Sequence, residues 1–173
     1  MADYRDAPFN LRILQSYARK IAGDYYRKLY ISENILRAGI HSILRVQAGV
    51  NWWDQIVDNG SKGTAISVRN NYIQMPTPRN PGNHRIYCVY LSNLGKILFD
   101  AKGYFYHVFP NVERLIVLIE QVRLSRNLVG HMNVLTAVEK ARVTKLHSLC
   151  NELARAIAES PVYSFEYPIE ELN

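Results

Sequence analysis

The chain has 173 residues, 48% of them hydrophobic, with only 9 Gly and 7 Pro. That composition suits one globular domain over 1–173 and excludes disorder as the main state. The formal charge is +6, from 21 basic and 15 acidic side chains, which invites a polyanionic partner.

In chain order, Asn10 to about Ala22 reads as a short helix, with Leu11, Leu14, Ala18 and Ile21 at spacings of three and four. Tyr25 to about Val57 reads as one long helix, or two joined near Ser32, a residue able to cap the second. The stretch ends in Trp52 and Trp53, expected in the core or a dimer interface rather than stacked on bases. Residues 59–90 carry Gly60, Gly63, Pro76, Pro78, Pro81 and Gly82 among many Asn and Ser. They are expected to form a long, irregular, mobile insertion, with short strands at Ala65–Val68 and Arg85–Leu91. Ser92 to about Asp100 reads as a helix that Lys102-Gly103 ends. Tyr104 and Tyr106, in the aromatic stretch that follows, are expected to pack against the bundle. Asn111 should cap a helix from Val112 to about His131. In the last helix Thr136 and Glu139 form a capping box, and Val138, Arg142, Leu146, Leu149, Leu153 and Ile157 trace a seam before Ser160-Pro161. The expected fold is an all-α bundle of four to five helices with one irregular insertion.

Charge is unevenly spread. No acid lies between Asp58 and Asp100, while Lys62, Arg69, Arg79, Arg85 and Lys96 are all basic. Beyond Arg155 the order reverses, and residues 161–173 form an acidic tail with Glu166, Glu170 and Glu171. Lys62, Arg69, Arg79 and Arg85 are therefore candidate phosphate contacts. No apolar run approaches the ~18 residues of a spanning helix, and the N-terminal MADYRDAPFN has no apolar signal core. A cytoplasmic protein with no membrane partner is expected.

Most chemical motifs are missing. The glycines do not form a phosphate-cradling loop, and there is no zinc helix or serine elbow. Cys88 and Cys150 are too few for a disulfide framework or a zinc site. His41, His84, His107, His131 and His147 lack ligand-like spacing, so neither metal nor cofactor is expected. One segment stands out: Arg126-Asn127-Leu128-Val129-Gly130-His131 at the end of a predicted helix. Asn127 and His131 are four apart and share a face. Arg126 stands about 140° round from His131, by the ~100° per residue of an α-helix, so the two flank a groove. Gly130 has no side chain, which suits close approach of another chain or a substrate.

RNLVGH resembles the signature of the HEPN superfamily: arginine, a polar residue that is often Asn, three more residues, then histidine. The setting is similar too, with the motif at the end of the penultimate helix and a capped helix after it. Within the superfamily the chain most resembles a branch found in stand-alone bacterial proteins and at the C-terminus of a eukaryotic mRNA-surveillance endoribonuclease. Three features carry that resemblance: Trp52-Trp53-Asp54 ending the first long helix, the Leu91-x-x-Leu94-Gly95-Lys96-Ile97 turn, and Arg126-Asn127-x-x-x-His131. It covers about Tyr25 to Ile157. A subset of the superfamily carries a tyrosine two residues after the histidine; here that residue is Asn133, so an antitoxin of that type is not expected.

The resemblance implies a helical homodimer in which two motifs face each other and cut RNA without a metal. Arg126 would bind the scissile phosphate, His131 would move a proton, and Asn127 would orient either. RNA, a second copy of the chain, and a regulatory protein partner are the implied partners. The superfamily spans toxins, phage-defence effectors and RNA-processing factors. It also includes members that have lost activity and serve as binding or adaptor modules, which is the alternative reading here.

Overall fold

The computed structural model describes residues 15–16, 19, 21–75, 82–131, 133–165 and 169. The fold is all-α. Six helices run through the described residues: α1 (Arg27–Ala48), α2 (Trp52–Ile56), α3 (Asn59–Ile73), α4 (Leu91–Ala101), α5 (Val112–Gly130) and α6 (Ala137–Ala158). A π-helical turn, Ile21–Tyr26, leads into α1, and short 3₁₀ segments lie at Arg85–Cys88 and Lys102–Tyr104. Most of the expected Asn10–Ala22 helix lies outside the described residues. Helix α1 packs on α6, α6 on α5, α5 on α4, and α4 closes back on α1. The four long helices thus enclose one core.

The bundle follows from the apolar stripes. On α1 the buried positions include Leu29, Ser32, Leu36, Ile40 and Ile43, at spacings of three and four. Ser32 does not cap a helix: it lies inside the stripe, and its Oγ donates to the Lys28 carbonyl at 2.7 Å. The break comes later, at Gly49, whose φ of 87° favours a residue without a Cβ. On α4, a Cβ at Gly95 would sit 2.8 Å from Ile119 Cγ2, so the glycine of the Leu-x-x-Leu-Gly-Lys-Ile turn sets how closely α4 meets α5.

Helix α6 starts with the expected capping box: Thr136 Oγ1 accepts from Glu139 N and Glu139 Oε2 accepts from Thr136 N. Its seam follows expectation at Leu146, Leu149, Leu153 and Ile157 and departs from it only in the first turns, where Val143 rather than Arg142 is buried. Val138 is exposed, and the buried positions are Val143, Leu146, Leu149, Cys150, Leu153 and Ile157. Asn111 stands before α5 but makes no side-chain cap.

The largest departure is the segment 59–90. Its first half is not an irregular insertion but the 15-residue helix α3. Asp58 Oδ1 accepts from the Gly60 and Ser61 amides, which supplies the first-turn partners that the glycines seemed to deny. Ala65 is buried and Val68 packs against the core, so α3 has a narrow apolar edge three residues long in period. Neither expected strand forms. Ala65–Val68 lies within α3, and Arg85–Cys88 is 3₁₀, capped by His84 Nδ1 accepting from Ile86 N at 3.1 Å.

Trp52 and Trp53 are buried to 1% and 4% exposure. Burying a large aromatic removes ~150–250 Å² from water, an upper bound of about 4–6 kcal/mol. That exceeds the ~1–3 kcal/mol of one stacked base, and it explains why this pair sits in the core. Tyr104 and Tyr106 are half exposed instead of packed inward. The segment turns rather than extends, so Phe105 and Phe109 are the residues that enter the core.

Candidate functional site

Arg126, Asn127 and His131 lie on the last turn of α5 and just past it. His131 is the residue that closes α5. Its amide donates to the Asn127 carbonyl at 2.9 Å, its own carbonyl accepts from Asn133 Nδ2 at 3.3 Å, and its ring is exposed. Asn127 is exposed as well. Arg126 is held differently. Its Nε lies 3.8 Å from Glu33 Oε2 of α1, and that carboxylate is only 13% exposed. The guanidinium runs beside Gly130, where an added Cβ would meet Nη1 at 4.0 Å.

Glu33 is in turn held by Arg37 one turn further along α1, at 2.5 Å. The Arg37 guanidinium also donates to Asn34 Oδ1 and to the carbonyls of Ile86 and Val89. It therefore ties α1 to the segment leading into α4. A nearly buried, multiply bonded arginine leaves Glu33 with a fixed position, and at 3.8 Å its second oxygen attracts the Arg126 guanidinium without hydrogen-bonding to it. The periodicity at Glu33 and Arg37 was a visible i,i+4 pair; the link to Arg126, far along the chain, was not.

Two open depressions meet at Arg126. The larger, of about 420 Å³, is bordered by Tyr26, Tyr30, Tyr72, Tyr87, Arg37 and Arg126. The smaller, of about 270 Å³, is bordered by Tyr90, Ser92, Arg123, Arg126 and Asn127. Arg126 thus forms the wall between them. His131 borders neither. One copy of the chain places the arginine and the asparagine at a cleft and leaves the histidine beside it on the open surface.

The expected basic contacts fall as follows. Lys62 Nζ donates to the Asp54 carbonyl at 2.8 Å, and Arg85 pairs with the Asp54 carboxylate at 2.8 Å. Both partners of the Arg85 pair are about half exposed or more, a setting in which ion pairs are weak and a phosphate can compete. Arg69 is exposed on α3, one turn before Tyr72 of the larger cleft. Arg79 lies outside the described residues. Cys88 and Cys150 are both free and buried, and burial pushes the Cys150 thiol up to about 12. Among the described residues no group of three or more His, Cys, Asp or Glu is placed to hold a metal ion. Nor is any helix there long and apolar enough to cross a membrane. No protein-family model, curated protein or solved structure matches the chain.

Proposed function

We propose that the chain is a HEPN-type endoribonuclease that acts as a cytoplasmic homodimer, with Arg126, Asn127 and His131 of two copies forming one composite site. The observation that carries the reading is the placement of Arg126: 3.8 Å from a nearly buried carboxylate and standing between two open clefts. An all-α bundle with the motif ending the penultimate helix and a capped helix after it supports the same reading.

The chemistry suits these side chains. In RNA cleavage of this kind the ribose 2′-oxygen attacks the adjacent phosphorus as its proton leaves. The bond from phosphorus to the 5′-oxygen breaks, and that oxygen takes up a proton. The products are a 2′,3′-cyclic phosphate and a 5′-hydroxyl. A histidine near pKa ~6.5 can accept one proton and deliver the other. Arginine binds two phosphate oxygens through its planar fork and offsets the charge gained in the transition state. Asn127 would orient the phosphate or the imidazole by hydrogen bonds. The test is incubation with total RNA in the presence of EDTA, comparing wild type with His131→Ala. Cleavage by the first and not by the second is expected.

That His131 stands beside the clefts rather than in them supports a site completed by the histidine of a second copy. A two-fold axis at the α5 end would supply it without a new residue type. Light scattering at micromolar concentration is expected to show a dimer. A strict monomer, or a dimer with the two histidines on opposite outer faces, would defeat the composite site.

The same observation on His131 favours one second reading, a non-catalytic module that binds RNA at Arg126 or docks a protein regulator there. RNA binding that falls with salt but yields no cleavage would select it. Under either reading Lys62, Arg69, Arg79 and Arg85 are proposed as outer phosphate contacts. Changing all four to Ala should flatten the salt dependence of RNA binding by up to ~0.7 log units per lost contact. An unchanged slope would remove this segment from the interface.

A further inference from the structure

We propose that a third cleft, at the C-terminal end of α1, binds a small aliphatic amino acid in its free, zwitterionic form. The inference stands apart from the ribonuclease reading, because this cleft shares no bordering residue with the two beside Arg126. Arg45 on its wall lies eight positions beyond Arg37 on α1, ~12 Å along the axis at 1.5 Å per residue.

The cleft holds about 390 Å³, within the ~300–1,000 Å³ range of small-molecule sites. The last turns of α1 contribute Ser42, Arg45 and Val46; the turn after them contributes Val50, and the segment after α6 contributes Val162. That segment is held in place. Tyr163 is buried, and its hydroxyl accepts from Gln47 Nε2 at 2.7 Å and meets His107 Nε2. The cleft is therefore formed before any ligand arrives.

Its polar groups are unmet. Ser42 is 7% exposed, and its Oγ has no hydrogen-bond partner. A serine inside a helix can donate to the carbonyl four residues back, as Ser32 does to Lys28 at 2.7 Å. Ser42 does not, and a buried hydroxyl left alone is costly. Rotation about χ1 redirects it toward a ligand. Arg45 is half-buried and pairs with no carboxylate among the described residues. No acidic side chain borders the cleft.

Helix α1 also ends open. Helices α3, α5 and α6 each close with an amide donating four residues back: Gln74 to Asn70, His131 to Asn127, and Glu159 to Arg155. Gly49, with φ of 87°, makes no such bond to Arg45. The carbonyls of Arg45 to Ala48 thus lack a backbone donor among the described residues. They also carry the negative end of the helix dipole.

These groups call for opposite charges in one small ligand. The carbonyls and the dipole suit an ammonium, which donates three hydrogen bonds and accepts none. The Arg45 fork suits a carboxylate, to which the Ser42 hydroxyl can also donate. Val46, Val50 and Val162 are 46%, 76% and 58% exposed and rim the same cleft. They give a branched aliphatic side chain a surface to cover. An α-amino acid such as valine carries all three parts.

The experiment titrates L-valine into the full, ¹⁵N-labelled chain and follows the amide signals by NMR. Those of Ser42, Arg45, Gly49, Val50 and Ser164 should move and saturate, while those of Arg126 and Asn127 stay in place. Isovalerate lacks the ammonium and isobutylamine lacks the carboxylate. Each should bind at least about 10-fold more weakly than L-valine, the scale of one hydrogen bond to a charged group. Arg45→Gln should weaken L-valine about 10- to 100-fold and Ser42→Ala about 2- to 10-fold. Either analogue binding as tightly as L-valine would overturn the zwitterion site. No saturating shift at millimolar L-valine, or equal affinity in Arg45→Gln, would overturn the cleft as a ligand site and leave its polar groups to water. The ligand series is read on the wild-type chain, so the test does not depend on the variants folding. Neither result bears on RNA cleavage at His131.

Discussion

His131→Ala and Arg126→Ala are each expected to reduce RNA cleavage to background while the fold survives. A positioned general acid or base contributes ~10²- to 10⁴-fold, and losing it removes the route for the 2′-hydroxyl proton. Loss of the arginine leaves the charge on the phosphate oxygens unmatched. Both side chains lie on the surface of the last turn of α5, and neither contributes to the core, so helicity by circular dichroism should be unchanged. Arg126→Lys should also fail, because an ammonium keeps the charge but loses the planar fork. Asn127→Ala should be milder, since an orienting group transfers no proton. Glu33→Gln is the informative companion. It leaves the phosphate contact in place but removes the negative charge beside Arg126, so kcat should fall with little change in KM. Cleavage is expected to persist in EDTA, because the attacking oxygen comes from the RNA and the proton carrier is imidazole. Activity retained by His131→Ala, or lost on chelation alone, would bring the binding-module reading forward.

Local signals made much of the fold legible, and long-range ones hid the rest. The capping box at Thr136 and Glu139 lies within four residues, so it could be read directly, as could the stops after α4 and α5. The seam of α6 was legible at Leu146, Leu149, Leu153 and Ile157, but not at its start, where Val138 looks apolar yet is 59% exposed. Helix α3 is masked in the sequence by Gly60, Gly63 and several Asn, all poor helix formers. The contrary evidence was present: Asp58 as a cap, and Ala65, Val68 and Tyr72 spaced by three and four.

The site divides the same way. Arg126, Asn127 and His131 are neighbours in sequence and were visible as a group. The clefts beside them are built from the π-helical turn, α1, α3 and the approach to α4. Tyr30, Tyr72, Tyr90 and Arg126 meet only through packing, which no local spacing encodes. The short i,i+4 relations Tyr26–Tyr30 and Glu33–Arg37 were the only hints available. Of the four basic residues chosen from charge alone, Lys62 and Arg85 turn toward Asp54, a partner that charge counting along the chain could not reveal.

Mild acid is expected to destabilise the fold, chiefly through His84. It is buried at 8% exposure, stacked on Trp52 with ring centres 5.4 Å apart, and edge-on to Trp53 and to His41, the latter at 4.6 Å. Burial first, then the neighbouring His41 and Arg85, lower it from 6.5 to about 3. Its Nδ1 accepts the Ile86 amide and caps the 3₁₀ turn, so a proton there would break the cap as well as charge the core. In the unfolded chain the imidazole regains its ordinary value. Between pH 6.5 and 3 the unfolded state thus binds the extra proton, and stability falls as the pH drops, by about 1.4 kcal/mol per pH unit. The full loss, roughly 5 kcal/mol near pH 3, rivals the ~5–15 kcal/mol that holds a typical domain. Above pH ~6.5 the residue contributes no slope. Urea unfolding followed by the fluorescence of Trp52 and Trp53 would read this directly at neutral and mildly acidic pH. His84→Asn keeps an oxygen able to cap the Ile86 amide and removes the titration, so its stability should depend less on pH below 6.5 than that of the wild type. Equal slopes in the two proteins would mean that other groups, and not this buried imidazole, set the acid sensitivity.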